Sequence, residues 1–207
     1  MSDARSTAIE VVLFDLGGVL IELGGSEELG RLVGEPSEEE LWRRWLRCPW
    51  VRRFERGQCG PQEFSEGMIE SWELDLSPGT FLEIFAAWPK GLYPGAQDLV
   101  ASLVGRTRTA CLSNTNQIHA RLEWSGSGIG HLFETRFFSH EMGFVKPDRA
   151  AFDHAVSGLD CRAEAILFLD DNEINVEAAR AAGLNAEKTR GPNEARQALA
   201  TYGLNTT

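Results

Sequence analysis

Four short segments of this chain set reactive side chains at the ends of apolar runs. Asp15 follows the run Ile9 to Phe14, Ser113 and Asn114 close the run that starts at Thr109, and Asp170 and Asp171 close the run Ala165 to Leu169. Lys146 stands just before Pro147. An apolar run halted by a polar residue reads as a buried strand that ends in a turn. If these ends are neighbours, three carboxylates, one hydroxyl and one ammonium converge. Such a set can work on a phosphoryl group. A carboxylate can attack phosphorus and form an acyl phosphate. A hard divalent cation, held by carboxylate and carbonyl oxygens, can neutralise the approaching anion. The hydroxyl and the lysine can hold the remaining phosphoryl oxygens, so catalysis rests on alignment and electrostatics.

Each residue also has a plainer reading. Asp15 suits an Asx turn. Ser113 and Asp171 suit the caps of following helices, with Thr115 and Asn116 the better candidates after Ser113. An isolated lysine is ordinarily solvated. The order and number of the segments favour the shared site.

The positioning elements follow from the pattern. Ile9 to Phe14 carries uninterrupted apolar residues, which suits a parallel strand covered on both faces. Residues 26 to 88 change texture to charged and aromatic helices. Ser37 and Glu40 form a capping box ahead of Leu41, Trp42, Trp45 and Leu46. Phe64, Met68 and Trp72 recur at helical spacing, and Thr80 with Glu83 suggests another capped helix. About four helices and no strand are expected there. The chain then alternates. A helix is expected through Leu99 and Leu103, a strand over Thr109 to Ser113, a loop and helix over Asn114 to Trp124, and a short strand beginning at Phe137. A helix with Pro147 in its first turn is expected to run to Leu159. The strand Ala165 to Leu169 precedes a helix from Ile174 to Ala182, closed by Gly183. Strand–helix repeats predict an open α/β sheet.

Composition narrows the class. The chain has 207 residues, 43% of them hydrophobic, enough for a core without metal or disulfide support. Its net charge of −11 argues against general binding to nucleic acid or anionic membranes. The four cysteines form no CxxC pair and read as reduced thiols. No signal-peptide core and no apolar stretch of membrane-spanning length is present, so a cytoplasmic location is expected.

The segments VVLFDLGGVLIEL, ACLSNT, HEMGFVKPD and ILFLDDNEINVEAA resemble, in order, the four motifs of the haloacid dehalogenase-like hydrolase superfamily. They closely resemble its small-helical-cap sugar-phosphatase branch, including α-glucose-1-phosphate phosphatase-like proteins. The resemblance implies an α/β fold: a Rossmann-like three-layer catalytic core with a mainly parallel sheet at 1–24 and 90–207, and a small helical cap at 25–89 inserted after the first strand. It also implies Mg2+ as cofactor, an aspartyl-phosphate intermediate and a small phosphorylated metabolite as substrate; a monomer and a homodimer both fit the sequence. Asp15 matches the nucleophile, Ser113 and Lys146 the phosphoryl-binding residues, and Asp170 the principal acidic metal ligand. Asn114 and Asp171 match positions that contact the substrate or a water beside the metal, and Asn175 one that supports Lys146 or Asp171. Gly17 occupies the position where many members carry an acid/base aspartate. There it offers only its backbone carbonyl to the metal.

Trp42, Trp45, Trp50 and Phe54 are candidate apolar walls. Arg43, Arg44, Arg47, Arg52, Arg53 and Arg56 are candidate anion contacts, and His140 with Glu141 a further candidate pair. His119 and His131 read as packing or surface residues. Three functions fit: a magnesium-dependent phosphomonoester hydrolase, a metal-free haloacid dehalogenase, and a noncatalytic phosphate-binding or protein-interaction member suggested by Gly17.

Overall fold

The computed structural model describes residues 8–34, 37–121 and 129–206. Its centre is a five-stranded parallel sheet. The strands are β1 (Val11–Phe14), β4 (Arg108–Ser113), β5 (Thr135–Phe138), β6 (Ile166–Asp170) and β7 (Asn185–Lys188), in spatial order β5-β4-β1-β6-β7. Strand β1 sits in the middle, with Phe14 level with Cys111 of β4 and with Leu169 of β6. All four of its residues are fully buried. Val12 and Phe14 join the core shared with α6 (Ala96–Ala101) and α10 (Gly191–Thr201). Val11 and Leu13 face the core shared with α8 (Arg149–Leu159) and α9 (Glu173–Ala181). This alternation is the period-two side-chain pattern of a strand, and it produces three layers.

Among the described residues, five helices lie between the first strand and the rest of the sheet: α1 (Ser26–Val33), α2 (Glu38–Arg47), α3 (Pro49–Glu55), α4 (Pro61–Trp72) and α5 (Pro78–Ala86). They share an aromatic core of their own, in which Phe54 stacks on Phe64 at 4.2 Å and Trp45 meets Trp88 at 4.8 Å. The number is five, against the four expected, because Pro49 at the first position of α3 starts a new helix where α2 ends. Ser37 caps α2 as expected, accepting from the Glu40 amide. Ser77, ahead of Pro78, takes the cap assigned to Thr80. The chain enters and leaves this cluster through an antiparallel ribbon, β2 (Ile21–Leu23) with β3 (Pro89–Leu92).

Other expectations shift. β5 ends at Phe138 instead of beginning at Phe137, and a short helix α7 (Ser139–Met142) follows. Helix α8 starts at Arg149, not at Pro147. Asp148 holds the N-cap with extended backbone, and its carboxylate is drawn to Arg52 and Arg56 of the helical cluster. The helix expected to reach Trp124 is described as far as Arg121; its remainder lies outside the described residues. No helix among the described residues is long and apolar enough to cross a membrane.

Candidate functional site

The sheet order brings the reactive residues together. β1 lies between β4 and β6, so Asp15, Ser113 and Asp170 share one carboxyl edge. Ligands bind at such edges in open parallel sheets. The Asp15 amide donates to Leu169 O at 2.8 Å, which extends the ladder and carries Asp15 to the level of Asp170.

Lys146 joins from the loop ahead of α8. Its Nζ lies 3.0 Å from Asp15 Oδ1 and 2.6 Å from Asp170 Oδ2, and its side chain is 1% exposed. A lysine buried so deeply is tolerated when carboxylates surround it. Asn114 places it: Nδ2 donates to Lys146 O at 2.9 Å, and Oδ1 accepts from Lys146 N at 2.8 Å. The Asn114 amide is thereby turned to the lysine backbone. Asn175 supports neither Lys146 nor Asp171 directly. Its Nδ2 donates to both Asp170 oxygens at 3.1 Å, because the first turn of α9 points at the end of β6. The Asn172 amide completes the Asp170 shell at 2.8 Å, while the Asn172 side chain, not Asp171, caps α9.

Carboxylate oxygens of Asp15, Asp170 and Asp171 all lie within 4.8 Å of one another. Burial pushes the Asp15 carboxyl up, Lys146 pulls it back, and Asp170 and Asp171 push it up again. Burial and the Asp170 charge raise Asp171 to about 6. Burial favours a neutral Lys146, but Asp15 and Asp170 outweigh it and hold the ammonium more firmly than usual. Three acids facing one buried ammonium form an all-oxygen donor set with excess negative charge. The chemistry of that set fits a hard divalent cation such as Mg2+.

Two glycines make room. Gly18 adopts φ +74°, and a Cβ there would stand 2.1 Å from Asp171 Oδ2. Gly17 lines the cavity, and its Cβ would meet a Leu23 methyl at 2.8 Å.

Above the strand ends lies a cavity of about 720 Å3. Asp15, Ser113, Asn114, Lys146 and Asp171 line it from the sheet, and Trp42, Arg43, Trp45, Glu55 and Phe85 from the helices. The candidate walls therefore divide. Trp42 and Trp45 reach the cavity, whereas Phe54 belongs to the helical core and Trp50 packs on Gly67. Among the candidate arginines Arg43 reaches it. Arg44 lies over Trp72, Arg53 pairs with Glu63, and Arg52 and Arg56 hold Asp148. His140 and Glu141 are not among the lining residues: the His140 ring stacks on Phe138 and Glu141 pairs with Arg136.

The family model of the haloacid dehalogenase-like hydrolases matches residues 9–183. The chain belongs to that family. It is 28% identical to the phosphatase MT3486 of Mycobacterium tuberculosis over 191 residues, 86% of each chain. It is 25% identical over 142 residues to the pyrimidine 5'-nucleotidase YjjG of Escherichia coli; that match covers 65% of this chain and spans 63% of the nucleotidase. Among solved structures it resembles the HAD-family enzyme BT-2542 of Bacteroides thetaiotaomicron, here a variant in complex with magnesium and inorganic phosphate. The TM-score is 0.69 at 25% identity, with 88% of this chain and 95% of that one covered.

Four cavity-lining residues, Glu55, His119, Lys188 and Arg190, were not legible as site residues of this HAD-like hydrolase. Glu55 ends α3 as a buried carboxylate on the cavity wall. The signal available was a lone acid among Arg52, Arg53 and Arg56. His119, read as a packing or surface residue, is buried and packs on Phe85 at 4.2 Å, yet it also lines the cavity. Asn116 positions it, accepting from the Ile118 and His119 amides. Lys188, the last residue of β7, and Arg190, the N-cap of α10, also line the cavity, and the sequence pattern does not reveal that strand.

Proposed function

We propose that this hydrolase cleaves phosphate monoesters of small metabolites, sugar phosphates foremost, through an aspartyl phosphate formed on Asp15. The observation that carries the reading is Lys146 bridging Asp15 and Asp170 beneath an open cavity. Asp15 Oδ1 is held by the Leu16 amide at 2.7 Å and by Lys146, which leaves Oδ2 to attack phosphorus. Ser113 and Lys146 restrain the phosphoryl oxygens as charge shifts, and their fixed positions favour the transition state. Asp15, Asp170 and the Gly17 carbonyl would hold Mg2+, with Asp171 beside them; the ion would neutralise the phosphoryl charge. Support for magnesium comes from the donor chemistry and from the magnesium and phosphate in the BT-2542 complex.

The helices of residues 25–89 act as the cap in this reading, and 1–24 with 90–207 as the catalytic core. Trp42, Trp45 and Trp88 offer aromatic faces on which a sugar ring can rest. The Asp170–Asp171 pair has no task in metal-free halide displacement, so a dehalogenase reading leaves it unexplained.

The test is phosphate release from a panel of phosphorylated metabolites with and without Mg2+, with Asp15→Asn as the blank. Release that needs both Mg2+ and Asp15 supports the reading. Activity that survives in Asp15→Asn, or halide release from haloacids in place of phosphate release, overturns it.

A further inference from the structure

Departure of an alkoxide from phosphorus, and attack of water on an acyl phosphate, each require a proton to move on the side away from the nucleophile. Gly17 has no side chain to move one. Lys146 is a donor only, locked between Asp15 and Asp170. His119 lines the cavity, but burial lowers it to about 4, against a partly opposing hydrogen bond with Phe85 O, so it is a neutral ring at pH 7.

Asp171 belongs to the carboxylate cluster with Asp15 and Asp170. The helical wall adds two further acids, and Glu39 of α2 is exposed and paired with Arg43, which leaves Glu55 as the buried one. Glu55 is the last residue of α3, 9% exposed, and it lines the same cavity as Asp15 and Lys146. The Trp45 indole of α2 donates a hydrogen bond to its carboxylate, which fixes the side chain from the neighbouring helix. The charged groups that act on it are Lys146 from the sheet side and Arg52, one turn back on α3. Arg52 is turned to Asp148 at 2.6 Å and does not neutralise Glu55 by direct pairing.

We propose that Glu55 is the general acid and base of the reaction, doing from the helical wall what Gly17 cannot do from the sheet. In the first step the Asp15 oxygen–phosphorus bond forms while the bond from phosphorus to the leaving oxygen breaks. The Glu55 carboxyl gives its proton to that oxygen, and an alcohol departs. In the second step a water oxygen bonds to phosphorus, the Asp15–phosphorus link breaks, and the Glu55 carboxylate takes the water proton. The sum is monoester plus water to alcohol plus phosphate. Burial raises Glu55 to about 7, opposed by the Trp45 hydrogen bond and the charges of Lys146 and Arg52. An acid near 7 both gives and takes a proton at neutral pH.

This role rests on the phosphomonoesterase reading above, and one experiment separates the two. Wild type, Glu55→Gln, Glu55→Asp and Asp15→Asn are assayed on an alkyl sugar phosphate and on p-nitrophenyl phosphate, whose leaving group needs no proton. Glutamine keeps the shape and the acceptor for Trp45. With Glu55→Gln, kcat on the alkyl ester is expected to fall about 10²- to 10³-fold. The aryl ester should give a burst of one nitrophenolate per enzyme and then slow turnover, because the second step still lacks its base. The limb of the pH profile near 7 should vanish in Glu55→Gln and persist in Glu55→Asp. Wild-type-like rates in Glu55→Gln beside a dead Asp15→Asn overturn the role of Glu55 alone. A uniform loss on both esters, with no burst and an unchanged pH profile, also overturns it and leaves Glu55 a structural residue. Absence of Asp15-dependent turnover in the wild type overturns the hydrolase reading together with this role. Should Glu55→Gln fail to fold, loss of the limb near 7 in Glu55→Asp overturns the proposal and its retention supports it.

Discussion

Lys146 and Asp15 meet 3.0 Å apart beneath the cavity, an ammonium and a carboxylate both withdrawn from bulk water. Asp170 shares the same ammonium from the other side. Lys146→Met is therefore expected to abolish turnover. Measured by urea unfolding at pH 7, it should also cost about 3–5 kcal/mol, since it leaves buried acids facing one another without a cation. Lowering the pH should recover part of that loss as the acids take up protons.

Asp15→Asn should separate activity from stability. Burial and the neighbouring acids raise the Asp15 pKa in the fold, so its share of stability is present below 3.8 and is lost as pH rises through the folded value. At pH 7 without metal, the asparagine variant is expected to be inactive and about 1 kcal/mol more stable than wild type by thermal melting. A lower melting temperature would contradict the picture of crowded carboxylates.

Adjacent glycines should respond differently to alanine. Gly18→Ala forces a Cβ onto the Asp171 carboxylate in a left-handed backbone position, and a loss of roughly 2–3 kcal/mol is expected. Gly17→Ala meets the far end of a Leu23 side chain, which can swing aside, so the loss should stay under about 1 kcal/mol. Equal losses in parallel urea titrations would show that the Asp171 contact is not what requires Gly18.

His119 should make the protein acid-sensitive. Burial lowers it from 6.5 to about 4, so the unfolded chain binds a proton that the fold refuses. Its stabilising share is whole above about 6.5 and declines as pH falls toward 4, by at most about 1.4 kcal/mol per unit. Glutamine can still donate to Phe85 O. The stability difference between wild type and His119→Gln should therefore shrink or change sign across that window. A constant difference would rule out a neutral buried imidazole.

The central strands and their acids were legible because each is a continuous apolar run broken by a charge. That pattern survives burial on both faces, as Val11 to Phe14 and Ile166 to Leu169 show. β7 was not, because Asn185, Glu187 and Lys188 are polar residues on an edge and Ala186 alone is buried. The β2–β3 ribbon escaped notice for a similar reason: the two short segments pair across the whole helical cluster, a relation without a local signal. Among site residues, those on strand ends were visible from position alone. Glu55 was hidden, since its surroundings depend on how α2 and α3 pack and not on the residues beside it in sequence.

Asp148 lies two residues beyond Lys146 and accepts from Arg52 at 2.6 Å and Arg56 at 2.5 Å, both half-buried donors on or just past α3. The loop that carries Lys146 is thus the loop to which the helical cluster is tied. Ionic strength becomes a mechanical variable for such a molecule. Raising salt loosens a partly exposed double ion pair, and the slack reaches the helical cluster and the lysine loop together.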